Sequence, residues 1–504
     1  KKIIMKKIFN IFAVIGIITL VGCSSDFLEQ QSPDQLNSST FWRSKADAES
    51  GLSAAYAYLE ASVEEYAFSE VKWPVEAYRE DICKLGSDAL NYQNWVELAD
   101  FTYTNGNSQL TSYWKLNYRG ISNANQVITK VGEMPSSAIS DTDKNQIVAE
   151  ARFLRAYYHL KLILNWEQIK IRNKYITDQN QISVPLASRV EAWDFIASEL
   201  KAVADVLPAA QPSDKTGRAT SGAANSYLGF VYLTRAYEET AQKQTHLNDA
   251  ITALNKVQGY QLVKDYVSMF DGTNKNSTES IFELQFTENT SNGAFYRTAL
   301  HFWMAASELG GWDEILPTDM LMNEFKKEGK IATTGNYDSR LYANIFFKDP
   351  YFNDPANPRI FGKTYDDKFG GIDKPAFRKY LPPTQEKMDA EFLGMNVPLM
   401  RFSNVLLMKA EVLNELTRTA EAIPFINIVR DRADMPAMVG TTYNDVKAQI
   451  EHERIIEFPL ENFRFYDLRR WGKTKAALDA VGRTGFNPAK NNFYPVPLTE
   501  IQNN

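Results

Sequence analysis

The densest grouping of ionisable side chains lies near the C-terminus, in ERIIEFPLENFRFYDLRRWG, which begins at Glu453. Glu453 and Glu457 stand four residues apart, on one face of a helix with Arg454 beside them. Glu461, Arg464, Asp467, Arg469 and Arg470 follow. Two carboxylates flanking a bond are what glycoside hydrolysis requires. A general acid must hold its proton near neutral pH, whereas an arginine within a turn of each acid favours the charged form. The pattern therefore predicts a structural ion network, not a catalytic pair.

Other catalytic constellations are missing. His159, His246, His301 and His452 are the only histidines, and none falls in H-E-x-x-H or another ligand spacing. There is no G-x-S-x-G elbow and no phosphate-cradling glycine loop. His159 sits inside RAYYHLKL, where a hydrogen-bonded structural role is expected. Acid-rich loops such as TYDDKFGG offer oxygens to calcium but lack the EF-hand pattern. No catalytic residue, cofactor or metal is expected, and a structural calcium has no support.

The elements that position these groups are mostly helical. Ser44 with Asp47 three residues on reads as an N-cap, and Ala48, Leu52, Ala55 and Leu59 line one face after it. Trp114, Tyr118, Ile121 and Ile128 form a second stripe; Ala151, Leu154, Tyr158 and Leu162 form a third. Further helices are predicted near Trp193, Ala223, Leu247, Val405, Ala422 and Val446. Leu228-Gly229-x-x-Tyr232 matches the core of a tetratricopeptide first helix, with Asn225 where that pattern has Trp and no strict 34-residue period. The stretch 262–400 differs. Phe282, Leu284 and Phe286 alternate as in a strand, among loops rich in Gly, Pro, Asn and Asp.

At the other end, Lys1, Lys2, Lys6 and Lys7 precede an apolar run from Ile8 to Leu20. That run is too short for a membrane span, which takes ~20 residues, and suits a secretory signal. Leu20-Val21-Gly22-Cys23 resembles a bacterial lipobox, which predicts a signal peptide over 1–22 and an acylated Cys23. Only Cys83 remains besides Cys23, so no disulfide framework forms. The formal charge of −7 argues against a nucleic-acid partner.

Several segments in order resemble the SusD/RagB family of outer-membrane nutrient-binding lipoproteins. They are GCSSDFLEQQSPDQL, FWRSKADAESGLSAAYAYL, AEARFLRAYYHLKLI, ESIFELQF, RFSNVLLMKAEVLNE, INIVRDRADMP, ERIIEFPLENFRFYDLRRWG and FYPVPLTEIQNN. The resemblance implies a mostly α fold: a tetratricopeptide-like helical-hairpin scaffold with long irregular loops and a few short strands. It divides the chain into a helical region over 23–261 and a C-terminal region with ligand-side loops over 262–504. Family members usually continue past the Asn-rich tail, so some C-terminal residues are expected to lie beyond this chain. The implied role is non-catalytic: capture of oligosaccharides at the cell surface and delivery to a SusC-like TonB-dependent outer-membrane transporter, with lipid on Cys23 as the anchor. A peptide-capturing member of the family and an α-helical glycoside hydrolase are the alternatives.

Aromatic residues make up 12% of the chain, and sugar C–H faces stack on such rings while polar neighbours take the hydroxyls. Trp114 and Trp193 lie on helical stripes and are assigned to packing. Trp73, Trp95, Trp303 and Trp312 fall in less regular stretches. Trp73 precedes Pro74, with Tyr78, Arg79 and Asp81 as candidate hydroxyl partners. Trp95 has Tyr92 one turn away. Trp312 follows Gly310-Gly311, so its ring is expected on a loop. At least one of Trp73, Trp95 and Trp312 is predicted to stack on the ligand.

Overall fold

The computed structural model describes residues 41–60, 69–288 and 297–502. The signal segment and Cys23 lie outside them. Helices α1 (Lys45–Glu60), α2 (Ser69–Ala77), α3 (Gln93–Asp100), α4 (Ser108–Gly132), α5 (Asp141–Asn165), α6 (Arg189–Ala204), α7 (Ser221–Glu238) and α8 (Lys243–Asn255) build the first half. Their starts follow local chemistry. The Ser44 hydroxyl accepts from the Asp47 amide at 3.3 Å, Asn107 caps α4, and Ser188 with Glu191 forms a capping box on α6.

Successive helices pack in series, α4 on α5, α5 on α6, α6 on α7 and α7 on α8, with α1 laid against α4 and α5. Glycine makes two of these contacts possible. A Cβ on Gly120 would meet the Tyr158 ring at 2.6 Å, and one on Gly229 would meet the Leu254 side chain at 2.4 Å. Leu228 is buried beside Gly229, and Tyr232 stacks on His246 with ring centres 6.1 Å apart. Close approach of α7 and α8 thus rests on the Leu-Gly-x-x-Tyr segment. No helix among the described residues is long and apolar enough to cross a membrane.

Among the described residues there are three two-stranded antiparallel ribbons, with all but one strand in the second half. Strand β1 (Cys83–Leu85) pairs with β3 (Ile315–Pro317), β2 (Ser280–Leu284) with β6 (Val397–Arg401), and β4 (Ile345–Phe346) with β5 (Ala376–Phe377). The alternation expected in SIFELQF is absent from the burial, because β2 is covered on both faces. Phe282 packs edge-on against Phe153 of α5 at 5.2 Å, while Glu283 is buried and accepts from the Asn276 amide and the Asn396 side chain. Short helices α9 (Leu300–Met304), α10 (Asp319–Lys326) and α11 (Ser339–Asn344) punctuate the loops. Then come α12 (Phe402–Glu415), α13 (Thr419–Arg432), α14 (Tyr443–Glu457) and α15 (Arg464–Arg470), with three short helices after them (Thr474–Ala480, Pro488–Asn491 and Leu498–Gln502). The molecule is mostly helical with a few short strands.

One expectation fails here for a clear reason. Pro74 disfavours a helix continuing past Trp73, yet α2 runs through it with the proline inside. A proline removes one helical hydrogen bond. Burial of Trp73, Val75 and Ala77, all at 1% exposure or less, offsets that loss.

Candidate functional site

The C-terminal ion network can be tested first. Glu457 is fully buried and accepts from Arg340 at 3.1 Å, from Arg401 at 2.8 Å and from Arg432. Burial opposes its charge, but Arg432, Arg401 and Arg340 outweigh burial and hold its carboxyl well below the usual range. Glu453 meets Arg340 at 2.8 Å and Arg430 at 2.7 Å, and Glu461 meets Arg401 at 2.6 Å and Lys379 at 2.7 Å. Asp467 bridges Arg454 at 2.6 Å and Arg470 at 2.9 Å. A general acid needs a raised pKa; Glu457 has the reverse.

Two pairings differ from the sequence expectation. Apart from Asp467 with Arg470, the partners come from distant elements, not from within a turn, and Arg464 pairs with Asp81. Arg469 donates to the carbonyls of Leu164 at 2.7 Å and Asn492 at 3.1 Å, so it caps backbone rather than neutralising an acid. Among the described residues the one grouping spaced to hold a metal is Glu328, His452 and Glu453. Arg430 already binds both acids of that group, Glu328 at 2.7 and 2.8 Å and Glu453 at 2.7 Å.

The aromatic candidates separate into a base and a surface. Trp73, Tyr78, Trp95 and Trp303 are buried at 4% exposure or less. They form one cluster around Trp303, whose ring lies 6.3 Å from Trp73, 5.6 Å from Tyr78 and 5.9 Å from Trp95. Their faces are occupied by one another, so Trp73 and Trp95 are packing residues in this arrangement.

The proposed hydroxyl partners are also committed elsewhere. The Tyr78 hydroxyl donates to the Glu314 carbonyl at 3.1 Å. Arg79 lies between the rings of Phe465 at 3.4 Å and Tyr494 at 4.4 Å and donates to Asn165 and to the carbonyls of Asn491 and Asn492. Asp81 is buried and held by Arg464. A short polar run next to a tryptophan looks available in sequence; here its polar groups face inward and join the two ends of the chain.

Two candidates remain at the surface, each seated on the buried base. Tyr92 is 43% exposed and lies on Trp95 with ring centres 4.2 Å apart. Trp312 is half-buried and stacks on Phe302 at 5.5 Å and 20°. Phe302 precedes Trp303 in α9, and Trp303 touches Trp95, so both surface rings rise from one cluster. Phe302 was not foreseen; its place beside the expected Trp303 was the available signal.

The loop that carries Trp312 is built to a tight specification. Its amide donates to the Phe302 carbonyl at 2.8 Å, and the Gly311 and Asp313 amides donate to Ala306 and Ala305 at 3.1 and 3.0 Å. Gly310 has φ 94°, which glycine adopts without strain. A Cβ on Gly311 would stand 2.2 Å from the Ala305 carbonyl oxygen, and one on Gly86 would stand 1.8 Å from that of Asp313. Asp313 itself has φ 59°. Its carboxylate accepts from the amide and hydroxyl of Ser87 at 2.9 and 2.7 Å and meets Lys374 at 2.8 Å, which also binds Glu308. Ser87, Asn91 and Ser307 are exposed, and Ser87 is tied to Asp313, the residue after Trp312.

Comparison with known proteins identifies relatives of this chain. A family model described as SusD family matches residues 278–504, and one described as starch-binding associating with outer membrane matches residues 26–233. The chain is 24% identical over 538 residues to SusD-like protein P2 of Formosa agariphila, covering 99% of this chain and 98% of that one. It superposes with a TM-score of 0.79 on a SusD superfamily protein from Bacteroides vulgatus, at 25% identity, over 92% of this chain and 98% of that one. Surface glycan-binding protein A from Bacteroides thetaiotaomicron, solved in complex with laminarihexaose, gives 0.72 at 20% identity over 91% and 97%.

Proposed function

Because the chain belongs to the SusD family, we propose that it is a cell-surface glycan-binding protein, held by lipid on Cys23, that captures oligosaccharides and passes them to a TonB-dependent outer-membrane transporter. The observation that carries this reading is the half-buried Trp312 ring stacked on Phe302, on the same buried cluster that seats Tyr92 through Trp95. Pre-formed aromatic rings with fixed polar neighbours suit the C–H faces and hydroxyls of a sugar, and their buried base limits the ordering cost of binding.

The catalytic alternative finds little to work with. The acids of the arginine-rich segment are consumed in ion pairs, and among the described residues the carboxyls that burial raises, those of Glu80, Glu150 and Glu283, are all buried. Glu150, whose carboxyl burial pushes up to about 7, is sealed inside the helical half at 0% exposure.

Isothermal titration of the chain without residues 1–23 against neutral oligosaccharides tests the reading. Saturable binding without product release is expected. Turnover of the glycan, or binding of peptides in its place, would overturn it.

A further inference from the structure

A second concave feature lies in the helical half, between α4 and the segment that follows α5. It encloses about 340 Å³ and is floored by Trp114, Tyr118 and Ile121, within the ~300–1,000 Å³ of ordinary ligand sites. Lys115, Arg119 and Ser122 lie four and three residues apart on α4, the spacing that puts them on one helical stripe, and all three are exposed.

The opposite wall is fixed by its backbone. Tyr118 accepts from the Lys170 amide at 2.7 Å and donates to the Lys170 carbonyl at 2.9 Å. The Arg172 amide donates to His159 Nε2 at 3.1 Å, and its carbonyl accepts from Asn125 at 2.9 Å. Arg155 holds the Asn173 carbonyl at 3.0 Å.

The charge around this cavity runs against that of the whole chain, which carries −7. Five cationic side chains line it against one carboxylate, Glu500. Lys170 meets that carboxylate at 3.1 Å, and Arg172 donates to the carbonyls of Gln181 and Ile182. Among the described residues, Lys115, Arg119 and Lys174 make no ion pair. Lys115 and Arg119 stand at i and i+4, where like charges repel. Unmatched cations gathered at a cavity focus a positive potential, and the floor beneath them is aromatic and aliphatic. That combination fits a small organic anion better than an inorganic one.

We propose that this cavity is a second saccharide site, taking a sugar that bears a carboxylate or a sulfate ester, with Lys115, Arg119 and Lys174 holding the anionic group. The inference rests on the glycan-capture reading but uses none of the residues around Trp312. The chain would then engage an acidic polysaccharide at two places, and linked contacts raise the apparent affinity of a polymer over that of a short oligomer.

Titration of the chain without residues 1–23 with a uronate oligomer, a sulfated galactan oligomer and a neutral oligosaccharide tests this, using the parent, Lys115→Ala/Arg119→Ala/Lys174→Ala and Trp312→Ala. The triple variant should melt with the parent and lose affinity for at least one anionic oligomer by about tenfold. That affinity should fall with added salt, while Trp312→Ala weakens the neutral oligosaccharide and keeps this salt-sensitive binding. The two anionic arms tell carboxylate from sulfate. Equal affinity in parent and triple variant overturns the proposal, as does failure of both anionic oligomers to bind at a concentration where the neutral one saturates. In the latter case glycan capture at Trp312 stands. Binding to vesicles of anionic lipid with no anionic oligomer bound would likewise overturn it, in favour of a membrane contact.

Discussion

Arg464 holds Asp81 bidentately, Nε on Oδ1 at 2.8 Å and Nη2 on Oδ2 at 2.7 Å, across 383 residues of sequence. Both side chains are at most 9% exposed. Removing one partner leaves the other charge buried and unmatched, so Arg464→Met or Asp81→Leu alone should cost about 3–5 kcal/mol of folding stability. Replacing both together should restore much of the loss. Urea unfolding of the two single variants and the double variant measures it; additive losses in the double variant would contradict the pairing.

The split between base and surface predicts opposite phenotypes for neighbouring rings. Trp312→Ala and Tyr92→Ala should each weaken oligosaccharide binding by about 1–3 kcal/mol, by analogy with ring stacking on bases, with little change in melting temperature. Trp73→Ala and Trp303→Ala should instead cost about 3–5 kcal/mol of stability. Calorimetric titration beside thermal melts of the four variants separates the roles.

Gly86 and Asp313 give a third test. The contact of a Cβ at residue 86 with the Asp313 carbonyl oxygen would be 1.8 Å, and that oxygen belongs to backbone, so the loop must move. Gly86→Ala should destabilise by about 1–3 kcal/mol and weaken glycan binding as well, because Trp312 adjoins the displaced residue. Retention of full affinity would show that the Trp312 loop tolerates displacement.

Burial sets the pH response of His159. Desolvation first, and the nearby Arg155 charge, outweigh its bond to the Arg155 carbonyl and lower its pKa from 6.5 to about 4. The unfolded state therefore binds more protons between these values, and stability falls as pH drops through that window. Glu150 acts in the opposite sense, since burial raises its pKa from 4.5 to about 7 and its protonated form favours the folded state on acidification. The two terms are separated by a variant. Relative to His159→Gln, the parent should lose roughly 2 kcal/mol between pH 6.5 and pH 5, read by urea unfolding at each pH.

Much of the scaffold was legible because helical stripes and caps are local. Ser44 with Asp47, the stripe through Trp114 and Tyr118, and the glycine between Leu228 and Tyr232 each carry their information within a few residues. The ion network was legible as to kind but not partner, since Asp81 and Arg464 are brought together by the fold and no spacing records that. Surface rings were the hardest to read. Trp73 and Trp95 sit beside Pro74 and polar residues, which suggests a loop, yet Trp303 arrives from the distant α9 and covers them. Tyr92 and Trp312 stay nearer the surface, Tyr92 43% exposed and Trp312 half-buried, because each lies on the outer side of a buried ring, Trp95 or Phe302.

The guanidinium of Arg79, clasped between Phe465 and Tyr494 with the carbonyls of Asn491 and Asn492 as acceptors, also sets an order in time. Residue 79 leaves the ribosome early, and every one of those partners leaves it near the end. Arg483 repeats the dependence, since it closes on the carbonyls of Tyr78, Glu80 and Ala99. Until the last few dozen residues arrive, the early part of the chain lacks the groups that complete its interior and cannot settle into its final packing.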